Sequence, residues 1–236
     1  VKDNYKFKSK LEILNNPISL KFLDYKKKEK VKSFLNIEGI FIHKKDLFIE
    51  KLLYEENKNK FLFNDLKLNN KLKISSVKKI DLRFINQNKI NNKIIINKKK
   101  NNYIIKGEII DLSSIINKIL DNDSNDDRIT FLDNFNSSVN INVSKMFLDN
   151  ESFINNLKGN FEIKNNKITN LKLSSKFNDD KKTTLTISTN NSNEKITTLY
   201  TQNAKPFINR YKFIKGFEKG ELDFYSVKKK IYLNQN

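Results

Sequence analysis

The chain has no cysteine and no tryptophan, and only five glycines, two prolines and one histidine among its 236 residues. Without cysteine, disulfides, thiolate metal sites and cysteine nucleophiles are excluded, and the redox compartment stays open. The sole histidine, His43, has neither a second histidine nor a cysteine with which to complete a metal site. We therefore expect His43 to lie at the surface or at a strand end.

Long apolar runs and catalytic motifs are also missing. The sequence has no run of about 18 apolar residues, the length that a membrane-spanning helix needs. It contains no glycine-rich phosphate loop and no nucleophile elbow, and its carboxylates are scattered. We therefore predict that the chain is not an enzyme and holds no metal or cofactor. Because it begins at Val1 without an initiator methionine or a leader, we expect it to be a piece of a longer protein.

The composition favours a folded protein with much surface. Only 37% of the residues are hydrophobic and 31% are charged, which suits a thin or elongated sheet, while eighteen Phe and eight Tyr argue against disorder. The net charge of +19 points to a polyanionic partner, but abundant Lys, Asn and Ile are also typical of a very AT-rich genome. Since Lys greatly outnumbers Arg, bidentate phosphate recognition is not indicated, and nucleic acid is not the expected partner.

The stretch from Phe153 to Tyr225 carries the clearest pattern. In its strand-like pieces apolar residues fall at every second position, as in half-buried strands, and Asn-rich turns separate the pieces at hairpin spacing. This predicts an antiparallel meander with one apolar face. The residues of that face are Phe161, Ile163, Leu171, Leu173, Leu185 and Ile187.

The same pattern fills most of the chain before this stretch. Alternating runs at 5–13 and 18–22, joined by Asn15-Asn16-Pro17, predict a hairpin. The segment 47–54 is less regular, but β-branched and aromatic residues dominate it, which favours a strand over a helix. Short strands with short turns and no helix between them predict antiparallel connections.

Two segments depart from this rhythm. Apolar residues at helical spacing predict short amphipathic helices at about 111–120, with Asp111 as N-cap, and at about 204–212, with Pro206 in the first turn. An acidic loop at 121–128 follows the first helix and is a possible internal break in an otherwise single domain, 1–236. This loop lacks the central Gly and terminal Glu of a calcium-binding EF-hand, which favours a solvated loop.

A longer pattern now becomes visible around the meander. Gly159, Ile168, Leu171 and Leu173 form a spaced glycine and apolar motif, followed by strands, the 204–211 helix and a glycine turn into Leu222. Over residues 95–225 this order resembles the AsmA-like C-terminal region of bacterial envelope proteins, the group that includes AsmA, TamB and YhdP. The chain departs from that pattern at Lys219-Gly220, where the family has a glycine pair, and in its general scarcity of Gly and Ala.

The resemblance implies a mainly β fold, an elongated and curved antiparallel sheet forming a groove with an apolar interior. It also implies a periplasmic location, with anchorage to the inner membrane through a segment absent from this chain, and phospholipid transport between inner and outer membranes. Phospholipid acyl chains would then be the partner of the six apolar residues given above. The residues themselves leave open a structural or adhesive β protein, a basic β module binding a polyanion such as nucleic acid, and an apolar face that closes on itself or on the two helices.

Overall fold

A computed structural model describes residues 4–42, 47–114, 135–149, 151–192, 194–207 and 220–228. The described chain is mainly β, as predicted, with sixteen strands and a single 3-10 turn, Lys21–Leu23. The strands are β1 (Asn4–Ile13), β2 (Ile18–Leu20), β3 (Tyr25–Lys27), β4 (Ser33–Ile42), β5 (Leu47–Glu56), β6 (Asn59–Leu68), β7 (Ile74–Ser76), β8 (Lys79–Ile85), β9 (Asn91–Lys99), β10 (Asn102–Asp111), β11 (Ser137–Phe147), β12 (Phe153–Lys164), β13 (Lys167–Lys176), β14 (Lys182–Thr189), β15 (Lys195–Thr201) and β16 (Leu222–Lys228).

Fourteen of these strands form one sheet. Its order is β1-β4-β5-β6-β8-β9-β10-β11-β12-β13-β14-β15-β16, with short β7 paired to β6, while β2 and β3 make a separate two-stranded sheet. From β11 to β16 every strand pairs antiparallel with the next in the chain, which confirms the predicted meander. β5 confirms the strand predicted at 47–54.

The prediction of a wholly antiparallel sheet is wrong at one place, since β10 and β11 run parallel. Asn102 at the start of β10 is level with Ser138 at the start of β11, so the connection through 112–136 returns the chain to the same end of the sheet. Parallel neighbours need a crossover of a dozen or more residues. The segment whose pattern broke the strand rhythm in the sequence is therefore the crossover of a mixed sheet.

The two predicted helices are not borne out in the described residues. Asp111 ends β10, and only Ser113 and Ser114 of the 111–120 prediction have helical backbone before the described range stops. At the second site, the described helical backbone is limited to Lys205–Phe207. The remainder of both helices, the acidic loop 121–128 and His43 lie outside the described residues.

The predicted hairpin of 5–13 with 18–22 is also wrong. β1 pairs along its whole length with β4, from Asn4 opposite Ile42 to Ile13 opposite Ser33. β2 pairs instead with β3, and this small hairpin packs on the apolar face of the large sheet. Local alternation identified the strands correctly but not their partners. On the face of the sheet, Tyr25 of β3 is buried and Ile18 and Leu20 of β2 are partly buried, which favours this position over pairing in the plane of the sheet.

Gly159 permits a close approach between β12 and β13. A Cβ at Gly159 would lie 2.0 Å from the carbonyl oxygen of Lys172 and 2.9 Å from the Cα of Leu173, too near for any side chain. The glycine of the family-like motif thus has a steric reason in this fold. At Gly107, by contrast, the nearest atom to an added Cβ is the carbonyl oxygen of Lys93 at 3.1 Å.

Gly159→Ala is expected to lower the free energy of unfolding by about 3 kcal/mol, because backbone atoms of β13 must move aside. Gly107→Ala, also in the interior of a strand, is the matched control and should cost about 1 kcal/mol or less. Urea unfolding followed by circular dichroism measures both. Equal losses would show that the close approach at Gly159 is not a constraint on the sheet.

Candidate functional site: the central apolar row

Register partners trace one continuous line of side chains across the whole sheet. Each residue of the line is directly opposite the next, from edge strand β1 to edge strand β16. All are large apolar residues except a serine at one end and a glycine in β12. This central row consists of Ser9, Ile37, Leu52, Phe63, Ile80, Ile96, Ile105, Ile141, Gly159, Leu173, Leu185, Leu199 and Phe224.

Two buried clusters flank the central row on the same face. The Phe61 cluster lies toward one end of the strands and consists of Leu23, Tyr25, Tyr54, Phe61, Leu82, Phe84, Ile94, Ile110, Val143, Met146, Ile154, Leu157 and Phe177. The Tyr103 cluster lies toward the other end and consists of Ile49, Leu66, Val77, Tyr103, Val139 and Ile163. Phe63, Ile80 and Ile105 of the central row pack against both clusters.

The central row is less buried than either flank. From Ser9 to Leu199 every member is partly buried, and Phe224 at the β16 edge is 42% exposed. On either side, Phe61 and Val143 in one cluster and Val139 in the other are at most 4% exposed. Because alternate side chains of a strand point to opposite faces, all three lines share the apolar face. The face therefore has two covered margins and an accessible line between them.

The six residues singled out in the sequence do come together on this face. Phe161, Leu171 and Ile187 are successive register partners in the line next to the central row. Leu173 and Leu185 oppose each other within the central row itself. Ile163 belongs to the buried Tyr103 cluster, and Leu171 is also buried, so these two present less surface than the other four.

Sequence reasoning missed the seven members of the central row from β4 to β11. Their alternation was visible, but membership of the row depends on register, and register depends on irregular residues such as Glu50 in β5 and Glu108 in β10. At each of these positions the pairing shifts by one residue, which changes the face on which later side chains lie. Positive φ at Asp65 and Asn156 marks comparable irregularities in β6 and β12.

The β2–β3 hairpin covers part of the Phe61 cluster. Tyr25 is 1% exposed, and its ring lies 4.8 Å from that of Phe61 and 6.1 Å from that of Phe84, measured between centroids. Its hydroxyl donates to the buried carboxylate of Glu56 and shares a 3.1 Å hydrogen bond with the hydroxyl of Tyr54. Burial, with these hydrogen bonds, raises the pKa of Tyr25 far above its ordinary value, so it stays a neutral donor.

Lys27, also in the hairpin, is fully buried. Its ammonium donates to the carbonyl oxygens of Leu14 and Asn16, each at 2.9 Å, and of Lys28 at 3.2 Å. All three ammonium protons thus have partners: two carbonyl groups of the loop that joins β1 to the hairpin, and one of the residue that follows β3. The Lys27 ammonium therefore stabilises the fold around the hairpin and is not available to bind a ligand.

A polar network closes the end of β10. Buried Asp111 accepts hydrogen bonds from the side-chain amides of Asn86 at 2.7 Å and Asn88 at 3.1 Å, and from the backbone N–H of Ser113 at 2.9 Å. Its own N–H donates to Oδ1 of buried Asn92 at 2.7 Å. Burial alone would raise the pKa of Asp111, but the hydrogen bonds from Ser113, Asn88 and Asn86 outweigh it, and the pKa is lowered.

The opposite face is polar along β12, β13 and β14. Lys158, Ser174 and Thr184 are successive register partners there, beside a shallow open cleft, and Lys176 near it pairs with Asp180 at 3.1 Å. Within the described ranges no group of three or more His, Cys, Asp or Glu side chains is placed to hold a metal ion. The described part of the chain also contains no helix that is long and apolar enough to cross a membrane.

Comparison with known proteins gave no match among family models, curated proteins or solved structures.

Lys27→Met should lower the free energy of unfolding by about 2–3 kcal/mol, since three carbonyl oxygens lose their donor. Exposed Lys26 is adjacent in the same strand, and Lys26→Met is the control with little expected effect. Because the chain has tyrosine but no tryptophan, tyrosine fluorescence in urea reports on the packing around Tyr25. Indistinguishable midpoints for the two variants would contradict the role given to Lys27.

Asp111→Asn tests the network at the end of β10. Because the pKa of Asp111 is lowered by folding, its carboxylate stabilises the fold above the ordinary value of 3.8, and this contribution is lost as pH falls through the lower folded value. The stability gap between wild type and Asp111→Asn should therefore be full at neutral pH and shrink in acid. Urea midpoints across a pH series measure it, with exposed Asp180→Asn as control. A gap that does not vary with pH would contradict the assignment.

Proposed function

We propose that this chain is a non-enzymatic lipid-binding segment of an AsmA-like envelope protein, and that its central row is the floor of a groove for phospholipid acyl chains. The observation that supports this most is the partly buried apolar line with buried margins on both sides. A face that only had to form a core would be most buried along its middle. Here the middle is the accessible part.

The dimensions of the central row suit a lipid path. Twelve strand spacings of about 4.8 Å make the row roughly 58 Å long, against about 30 Å for the hydrocarbon core of a bilayer. Each methylene buried against it would contribute about 0.8 kcal/mol. Since the row is apolar at all but two positions, an acyl chain would meet no large polar barrier along it.

The proposed groove requires the sheet to curve around its apolar face, with the Phe61 and Tyr103 clusters as its walls. On this proposal the protein lies in the periplasm, is tethered to the inner membrane through a segment absent from this chain, and contributes to phospholipid transport between the inner and outer membranes. The polar face, with its lysines and hydroxyls, would remain toward water. No catalytic step is part of the proposed function.

Leu173→Asp tests the proposal, because a carboxylate in the central row would have to be desolvated by bound acyl chains. Ser174→Asp adds the same charge one residue away on the opposite, polar face and is the matched control. Protein purified without detergent is extracted for lipid mass spectrometry, and binding of a phospholipid with a fluorescent acyl chain is titrated. We expect Leu173→Asp to reduce binding about tenfold or more, and Ser174→Asp to leave it unchanged.

Phe224→Asp is a second test of lipid binding. It places the charge at the exposed edge of the sheet, so the variant can fold even if the interior of the sheet does not accept a charge. Phe224 is 42% exposed at the end of the row, so the variant should fold and lose binding more modestly. Circular dichroism confirms the fold of each variant. A wild-type preparation that is free of lipid and does not bind the fluorescent phospholipid would overturn the proposal, as would equal binding by Leu173→Asp and Ser174→Asp.

The salt dependence of binding distinguishes the polyanion alternative from lipid binding. Binding through lysines releases counterions and weakens steeply as salt rises, whereas acyl-chain burial does not. Lipid binding that persists in high salt supports the apolar row as the site. Binding that disappears with salt and is competed by DNA would favour a basic β module.

A further inference from the structure

Among the described residues, β1 and β16 are the two edge strands of the large sheet. Within the described ranges nothing pairs with the outer side of β1 or of β16. Exposed large apolar side chains gather on these two strands: Tyr5 and Leu11 on β1, and Phe224, Tyr225 and Val227 on β16. Unpaired backbone groups beside exposed apolar side chains are a template for another strand. Both edges therefore carry the features of a strand-pairing surface.

The senses of the two edge strands are opposite. Strand direction alternates at every antiparallel pairing from β1 to β10, is kept once at the parallel β10–β11 pair, and alternates again to β16. β1 and β16 consequently run in opposite directions within one sheet. If the β16 edge of one copy is placed beside the β1 edge of another, with the apolar faces on the same side, the new pair is antiparallel.

The residues that would face each other are complementary. Continuing the central row from Phe224 of one copy to Ser9 of the next fixes the register of the pair. In that register Lys10 is opposite Asp223 and Leu11 is opposite Leu222, an ion pair on the polar face and an apolar pair on the other. Lys8 is opposite Tyr225, an arrangement that allows cation–π contact.

Charge also opposes the competing arrangement. Three lysines of β1, Lys6, Lys8 and Lys10, project from the polar face, so two β1 edges placed together bring like charges into contact. The β16 edge instead carries Asp223, which is opposite Lys10 in this register, and Lys228 at the other end of the strand. The Lys10 and Asp223 pair therefore favours the β1–β16 contact over a contact between two β1 edges.

We propose that copies of this chain associate head to tail, the β16 edge of one pairing antiparallel with the β1 edge of the next, so that one sheet and one central row continue through successive copies. The occupant of each edge is a second copy of this chain. Such a contact is heterologous and leaves one free edge at each end of a pair, so association extends beyond dimers, to a ring or to an open filament. The inference does not depend on lipid binding.

Introduced cysteines test the register directly, since the chain has none of its own. Ser9→Cys and Phe224→Cys variants are mixed under mild oxidation, and mixed disulfides are counted by mass spectrometry. The control pairs Ser9→Cys with Leu72→Cys, because Leu72 is 69% exposed in a turn away from both edges. We expect the Ser9 and Phe224 pair to exceed the control severalfold. A yield no higher than the control overturns the proposed register.

Charge exchange tests the head-to-tail geometry without cross-linking. Lys10→Asp and Asp223→Lys should each weaken association about fivefold, because each alone places like charges opposite one another. Mixed together, the two variants can alternate with opposite charges at every contact, and association should return to the wild-type level. Sedimentation velocity over a concentration series measures this. Wild-type protein that stays monomeric throughout, or a mixture no better than its components, would overturn the proposal.

Discussion

One face of this sheet is mainly apolar, and among the described residues the two-stranded β2–β3 sheet covers only part of it. A face of this kind has to find cover, because apolar side chains in water oppose folding. The structure supplies local cover at its margins. Tyr25 of the hairpin packs against Phe61, and Phe207 lies 6.2 Å from Phe177 between ring centroids. The central row stays accessible, and the proposed lipid site is based on it, whereas the proposed association is based on the two edge strands.

Cover at the margins depends on polar groups as much as on apolar ones. The hairpin can lie on the apolar face only because Lys27 satisfies the carbonyl groups of its connecting loop and Tyr25 finds Glu56 as an acceptor. At the end of β10, Asp111 accepts hydrogen bonds that hold the backbone where the chain leaves the strand and enters the crossover. Buried polar groups without such partners would cost more than the apolar contacts return.

Much of the fold could be predicted from the sequence, since a period of two residues is set by the strand itself. The meander from Phe153 onward and the strand at 47–54 follow from this period alone. Pairings between distant strands could not be predicted. β1 joins β4 across the intervening hairpin, and β10 joins β11 across the crossover, because these choices depend on total burial and not on local pattern. For the candidate site, the sequence predicted the face correctly but could not predict the row, which needs the register across thirteen strands.

The direction of the central row has a consequence for how such a chain could vary. The row runs across the strands, so its length depends on how many strands there are, and its breadth depends on how long each strand is. Gain or loss of one hairpin, such as β13 with β14, would alter the length by about two strand spacings and leave the breadth unchanged. In this architecture the length of the apolar row can therefore change with the number of hairpins, and its breadth can change independently with the length of the strands.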